Sequence, residues 1–262
     1  MSLEQQLSEI REYNTKLTNY TECLRSRSSE KALANFAETR GYSLDFLKSI
    51  GVFYVGDEAE MLIPKFMNDL KELGVISLTN NKPIFSNRYV IPIHDENHLV
   101  QNLVGYSSDS KERYVYGLGK YYLRRDTYYG MENMKKALEL GWAIVTEGIT
   151  DSWVFRSSNI DNAFANCGTH SNKLGVDLLN HLRYGVIVIP DRDSAGEKAF
   201  KRWKFDRVIR VNTSIAFKDS DEMCRNNARN KEILLDVIRQ VVDELTSRDR
   251  TGTTYYKEVT IV

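Results

Sequence analysis

Cysteine is scarce and unpaired in this chain: Cys23, Cys167 and Cys224 stand far apart and are odd in number. No paired Cys or Cys/His spacing exists, so neither a disulfide framework nor a zinc site is expected, and the thiols read as reduced. Net charge is also missing, with 36 basic against 36 acidic residues. That excludes a whole-molecule field that gathers nucleic acid, so any such binding must come from local patches. The longest apolar runs are strand-length, well short of the roughly 20 residues that a membrane-spanning helix needs. Met1-Ser2-Leu3-Glu4-Gln5 has no basic region leading into an apolar core, so no secretory signal is expected. A Walker-type Gly-Lys-Ser/Thr loop is absent as well. What is present, 262 residues of which 42% are hydrophobic, suffices for a real core in one large domain or two small ones.

Residues 1–80 read as mainly helical. Ser29 caps a helix through Phe36 that stops at Gly41, and Ser43 caps a shorter one, Leu44 to Ile50, closed by Gly51. A third helical stretch is expected from Pro64 to Leu73, ending at Gly74. Residues 84–130 change to strands. Tyr89–Ile93 and Leu99–Val104 flank a hairpin turn at His94-Asp95-Glu96-Asn97. Basic and aromatic residues then interleave: Lys111, Arg113, Lys120, Arg124 and Arg125 among Tyr114, Tyr116, Tyr121, Tyr122, Tyr128 and Tyr129. Such a mixture suits a groove that holds phosphates and stacks bases, and it equally suits a tyrosine-rich strand face. From residue 141 onward, strands Trp142–Thr146, Asn162–Asn166, Gly185–Ile189 and Arg207–Val211 alternate with helices. This α/β pattern predicts a parallel sheet covered on both faces. Lys231–Leu245 follows as an amphipathic helix that docks on the sheet or serves a partner.

Chemistry concentrates at the strand ends. Glu147-Gly148 follows the first of these strands, with Asp151 in the next helical turn; Asp191 and Asp193 follow the third, ahead of Ser194-Ala195-Gly196. Residues two apart in an extended segment point the same way, so Asp191 and Asp193 can share an ion, and Ser194 can cap the helix. In parallel sheets the functional crevice lies beyond the carboxyl ends of the strands, where all these acids fall. Clustered carboxylates make a hard oxygen cage suited to Mg²⁺ or Mn²⁺ and to phosphate chemistry. Taken singly, an Asp near a helix start is more often only a cap.

The spaced set of Glu147-Gly148, Asp151, Asp191, Asp193 and Ala195-Gly196 resembles the TOPRIM domain. Upstream, Arg40-Gly41-Tyr42-Ser43, Asn87-Arg88-Tyr89-Val90-Ile91-Pro92-Ile93, Val104-Gly105-Tyr106, Arg113-Tyr114-Val115 and Tyr128-Tyr129-Gly130 are similar to segments of DnaG-type primases. Asn162-Ala163-Phe164-Ala165, Gly168-Thr169 and Lys218-Asp219-Ser220-Asp221-Glu222 extend the match, which covers about residues 30–225 in order. The resemblance implies an α+β N-terminal subdomain over residues 1–135, a TOPRIM catalytic domain over 136–225, and a C-terminal helix and tail over 226–262. It implies a primase core that makes short RNA primers from ribonucleoside triphosphates on single-stranded DNA. Glu147, Asp191 and Asp193 would be catalytic and hold Mg²⁺ or Mn²⁺, joined by Asp151, Asp219 and Asp221 as further metal groups, although Asp219 and Asp221 could instead cap a local turn at Met223-Cys224. Asn87, Arg88, Arg113, Lys120 and Arg124 would bind nucleotide or template. A replicative helicase and a separate zinc-bearing subunit are the implied partners, in a cytoplasmic setting, and the short chain fits a phage or mobile-element source.

Two departures from the family stand out. The zinc module and the helicase-binding domain are not among these residues, and Tyr106-Ser107-Ser108-Asp109 carries an acid where the family has a basic residue. Two rival readings use the same acids differently: a TOPRIM nuclease or topoisomerase that breaks a phosphodiester, and a non-catalytic module that binds single-stranded DNA or helicase.

Overall fold

Ser2 starts the first helix, α1 (Leu3–Arg25), through a capping box: its hydroxyl accepts from the Gln5 N–H while the Gln5 side chain accepts from the Ser2 N–H. Tyr13, Leu17, Tyr20 and Leu24 recur at helical spacing and form its buried stripe. The computed structural model describes residues 2–121, 128–167, 173–247 and 254–261. They divide into two units, Met1–Tyr122 and Leu123–Val262.

In the first unit, Ser29 and Ser43 cap α2 (Glu30–Arg40) and α3 (Leu44–Ser49), each accepting from a backbone N–H three residues on. Gly41 and Gly51 take the left-handed conformation that ends each helix region (φ 73° and 80°). A strand that the sequence pattern does not reveal, β1 (Phe53–Val55), precedes a single helical turn, α4 (Glu58–Met61). The continuous helix expected over Pro64–Leu73 does not form. Pro64–Phe66 is a tight 3₁₀ turn, and bonds of i to i−3 type continue at Asp69 and Gly74, although Phe66, Leu70 and Leu73 keep helical spacing toward the core. The expected hairpin is present as β2 (Arg88–His94) and β3 (Val100–Tyr106). Asp95 Oδ1 accepts the N–H groups of Asn97 and Leu99, both at 2.9 Å, and so builds its turn. With β4 (Tyr114–Tyr116) they make a four-stranded antiparallel sheet, order β1-β2-β3-β4. Helix α1 covers one face: its stripe packs with Phe53, Val55, Val90, Val100 and Leu103.

The second unit is built as the alternating pattern requires. Its elements are α5 (Met134–Leu140), β5 (Trp142–Thr146), α6 (Ile149–Arg156), β6 (Ala163–Ala165), α7 (Lys173–Asn180), β7 (Gly185–Ile189), α8 (Ser194–Arg202), β8 (Arg207–Asn212), α9 (Ser220–Cys224), α10 (Ala228–Ser247) and β9 (Tyr255–Thr260). The sheet order is β6-β5-β7-β8-β9 and every pairing between these strands is parallel. Val145, Val186, Val188 and Val208 face α5, α7 and α8 through Ala137, Leu179 and Ala199, whereas Ile144, Ile187 and Ile209 face Val154 of α6 and Leu234, Ile238 and Val241 of α10. Period-two alternation thus supplies two apolar faces, as expected for a sheet buried on both sides. Helix α10 docks on this sheet. The last strand extends the sheet by full register from Arg207↔Tyr255 to Asn212↔Thr260. The boundary between units falls upstream of the expected 135/136, because Tyr129 already pairs with Ala165 at the sheet edge. Among the described residues no helix is long and apolar enough to cross a membrane.

Candidate metal centre

Three adjacent strands of the parallel sheet end in acids. Glu147 follows β5, Asp191 follows β7 with Asp193 two residues on, and Asp219 lies beyond β8 at the start of α9. Asp151, in the first turn of α6, joins them. One carboxylate oxygen from each of Asp151, Asp191 and Asp219 lies within 4.8 Å of the other two.

The two motif glycines have steric reasons. A Cβ on Gly148 would sit 2.5 Å from Asp151 Oδ2, and one on Gly196 would sit 2.2 Å from the Asp191 carbonyl oxygen. The second clash is with backbone, so it cannot be relieved by turning a side chain. Alanine normally stabilises a helix interior by about 1 kcal/mol over glycine. At Gly196 the sign should reverse: Gly196→Ala is expected to cost about 1–3 kcal/mol, in the range of overpacking, and to weaken divalent-ion binding. Urea unfolding and Mn²⁺ titration of the variant check both.

Hydrogen bonds fix each acid differently. Asp151 is buried, and its Oδ1 accepts from Ser220 Oγ at 3.1 Å and the Asp221 N–H at 3.0 Å, which locks α6 to α9. Asp193, rather than Ser194, caps α8: its Oδ1 accepts the N–H groups of Ala195 and Gly196 at 2.9 and 2.8 Å. Asp219 caps α9 through the Glu222 N–H at 2.7 Å. Asp221 forms a short ion pair with Arg225. Glu147 is 9% exposed, and its Oε2 is buried with no hydrogen-bond partner. An orphaned oxygen beside three converging carboxylates is costly unless a cation or proton comes to it.

Electrostatics follow from that packing. Burial, then the charges of Asp191 and Asp193, push Glu147 up to about 7. Burial first, then neighbouring acids, hold Asp151 well above the usual carboxylate range. Asp191 and Asp219 are raised chiefly by burial, opposed at Asp191 by Lys218 and at Asp219 by the Glu222 N–H. Asp193 moves the other way, lowered first by the Gly196 N–H. The donor set is all oxygen, crowded, and short of positive charge, so these residues fit a hard divalent cation.

Sequence reasoning named one residue here within a matched motif but gave it no role. Lys218 Nζ lies 3.0 Å from Asp191 Oδ2 and 3.3 Å from Asp193 Oδ2. Loop closure between β8 and α9 delivers it, and no spacing rule shows that from the sequence. Of the expected trio, Asp191 stands in the closest group, Glu147 stands beside it, and Asp193 is taken up by its cap and by Lys218.

No family model matches the chain. In sequence it is 25% identical over 230 residues to the DNA primase of Thermotoga maritima, covering 82% of this chain and 40% of that protein. The DNA primase of Clostridium acetobutylicum is 27% identical over 239 residues, covering 84% and 39%. The chain therefore spans about two-fifths of the curated relatives it matches. Among solved structures, the RNA polymerase domain of Mycobacterium tuberculosis primase DnaG superposes with TM-score 0.72 at 18% identity, covering 89% of this chain and 83% of that one. A DnaG primase catalytic domain bound to single-stranded DNA gives 0.72 at 19% identity, covering 89% and 80%. The chain has the fold of the DnaG primase catalytic core. The resemblance drawn from the sequence motifs holds, and in this DnaG-type fold the acids occupy the carboxyl edge of the parallel sheet.

The nucleotide- and template-binding residues expected of a DnaG-type core lie, where described, in the first unit. Arg88 is half-buried and donates to the Glu112 carbonyl at 2.9 Å and Ser110 Oγ at 3.0 Å, so it braces the loop after β3. Asn87 is exposed with φ 53°, Arg113 is exposed, and Lys120 Nζ sits 4.8 Å from the Tyr121 ring centroid. Arg124, Arg125, Gly168, Thr169 and His170 lie outside the described residues. Tyr54, Tyr89, Tyr106 and Tyr114 stand in direct register across all four antiparallel strands. Phe36 stacks on Tyr89 at 4.0 Å, so much of this tyrosine row is packed strand face, while Tyr114 is 37% exposed.

Proposed function

We propose that this chain is the RNA-polymerising core of a primase, joining ribonucleoside triphosphates on a single-stranded DNA template. The observation that carries the reading is the convergence of Glu147, Asp151, Asp191 and Asp219 at one sheet edge in a DnaG-type fold. A DnaG catalytic domain with single-stranded DNA bound shares that fold, which supports the template assignment.

Magnesium or manganese held by Glu147, Asp151, Asp191 and Asp219, with Asp193 beside them, would neutralise the triphosphate and assist departure of pyrophosphate. Glu147 supplies a second capacity. Poised near 7 with Oε2 unpaired, it can take the proton that the attacking 3′-hydroxyl loses. Asp151 is anchored from α9 and acts as the fixed wall of the site. Arg113, Lys120 and Arg124 are assigned to the phosphates of nucleotide and template, and Arg88 with Asn87 to shaping the strand edge that presents them. Nucleotidyl transfer here would work with a replicative helicase and a zinc-bearing subunit, in a cytoplasm, that of a host if the source is a phage.

Incubation of the protein with single-stranded templates, four ribonucleotides and Mg²⁺, with and without helicase, tests the reading. Short RNA is expected, falling at least about 10²-fold in Asp191→Ala, as for loss of a central electrostatic group. Cut DNA in place of RNA would assign the acids to a nuclease, and RNA synthesis undiminished by Asp191→Ala would overturn the assignment of the site.

A further inference from the structure

We infer that Lys218 is a mobile counter-ion: it holds Asp191 and Asp193 together until a divalent ion takes Asp191, and then turns to the phosphates of the incoming triphosphate. The inference rests on the proposed metal site and adds to it a residue that guards and then serves the substrate.

The geometry carries the argument. Lys218 Nζ bridges Asp191 Oδ2 and Asp193 Oδ2 at 3.0 and 3.3 Å. These are oxygens left over by the backbone contacts, since Asp193 already spends Oδ1 on the Ala195 and Gly196 N–H groups. The backbone of Lys218 is pinned on both sides. Its carbonyl accepts from the Arg192 N–H at 2.6 Å, and its N–H donates to Glu222 Oε2 at 2.7 Å. The Cα is therefore fixed against the Asp191–Asp193 loop while the side chain stays 53% exposed. A fixed base, a flexible four-carbon stem and a compact point charge make a swinging group, which a planar arginine fork would not provide.

Neighbouring charge explains why the group should move. Glu147, Asp151, Asp191 and Asp219 crowd one another, and Asp221 is already satisfied by Arg225. The single positive charge of Lys218 relieves part of that repulsion. A divalent ion relieves more, and it would meet the ammonium as a like charge at the Asp191 carboxylate. Displaced, the ammonium stays tethered beside α8, whose N-terminus already favours anions. A polyphosphate anion brought in with the ion would then compete with Glu222 and Asp219 for the freed ammonium.

The test uses opposite signs for the two ligands. Mn²⁺ binding to the full chain is titrated calorimetrically for wild type and Lys218→Met, first alone and then with a non-hydrolysable ribonucleoside triphosphate. Lys218→Met should bind bare Mn²⁺ about three- to tenfold tighter and the triphosphate–Mn²⁺ complex about three- to tenfold weaker, the scale of one partly exposed ion pair. Lys218→Arg should recover less than half of the triphosphate effect. A thermal melt of Lys218→Met in saturating Mn²⁺ establishes that it folds. Unchanged or weaker Mn²⁺ binding in Lys218→Met, or unchanged triphosphate binding, overturns the role of Lys218. Failure of wild type and variant alike to bind Mn²⁺ overturns the metal site itself, and the lysine inference with it.

Discussion

Glu147→Gln is expected to stabilise the metal-free protein by about 1–3 kcal/mol at pH 8 while cutting primer synthesis by at least about 10²-fold. Burial and the charges of Asp191 and Asp193 raise this carboxyl from 4.5 to about 7. Each tenfold gain in proton affinity corresponds to about 1.4 kcal/mol between charged and neutral forms. The whole of that rise, which already includes the relief from Lys218, sets an upper limit, since residual water relieves part of the charge. At pH 8 the wild-type group is ionised with Oε2 lacking a partner, and glutamine removes the charge at nearly constant shape. Below pH 4.5 both side chains are neutral, so the difference should vanish. Urea unfolding in chelator at about pH 8 and about pH 4 measures it. A variant less stable than wild type at the higher pH would mean that Glu147 is satisfied in a way this geometry does not contain.

The second large effect is a divalent-ion stabilisation that depends on pH. The folded-state pKa of Glu147 is raised, so the folded protein binds that proton more tightly than the unfolded chain. Its contribution is present below about 4.5 and is lost as pH rises through about 7. Asp151, Asp191 and Asp219 are raised too and act in the same sense; Asp193 is lowered, and its contribution is lost instead as pH falls. In chelator, then, the acidic site favours the fold less at about pH 8 than at about pH 5. Mg²⁺ or Mn²⁺ must compete with the same protons, so its benefit runs the other way. At roughly 100 times Kd, about 2.7 kcal/mol of binding free energy and roughly 2–4 °C per kcal/mol give a rise of about 5–10 °C at about pH 8. At about pH 5 the rise should be close to zero. Equal shifts at both pH values would show that the ion binds away from the raised carboxylates.

Most of the second unit was legible in the sequence, because its strands are short apolar runs that end in acids. Trp142–Thr146 and Gly185–Ile189 appear with the boundaries that the runs suggest, since burial on both faces keeps them almost wholly apolar. Ser29, Gly41, Ser43 and Gly51 likewise announce helix ends through local chemistry alone. What failed was decided at long range. β1 is three residues long and exists through pairing with Arg88–Val90. The final strand is an edge strand with alternating burial, and nothing local reveals that β8 is its partner. At the site, the sequence identified the acids, Asp219 among them, and the structure adds the backbone groups that each one holds. Asp193 becomes the cap expected of Ser194, and Asp219 enters the closest carboxylate group because the loop between Asn212 and Ser220 folds it there. Lys218 arrives with it, and only the folded loop shows that its ammonium meets Asp191.

The shared divalent ion is tested most directly by crystals of the protein grown with Mn²⁺ and measured at the manganese edge. An anomalous peak held by the carboxylates of Asp151, Asp191 and Asp219, with Glu147 turned onto it, is the predicted result. A well-ordered protein with no peak at this sheet edge, or with manganese bound only at other acids, would contradict it.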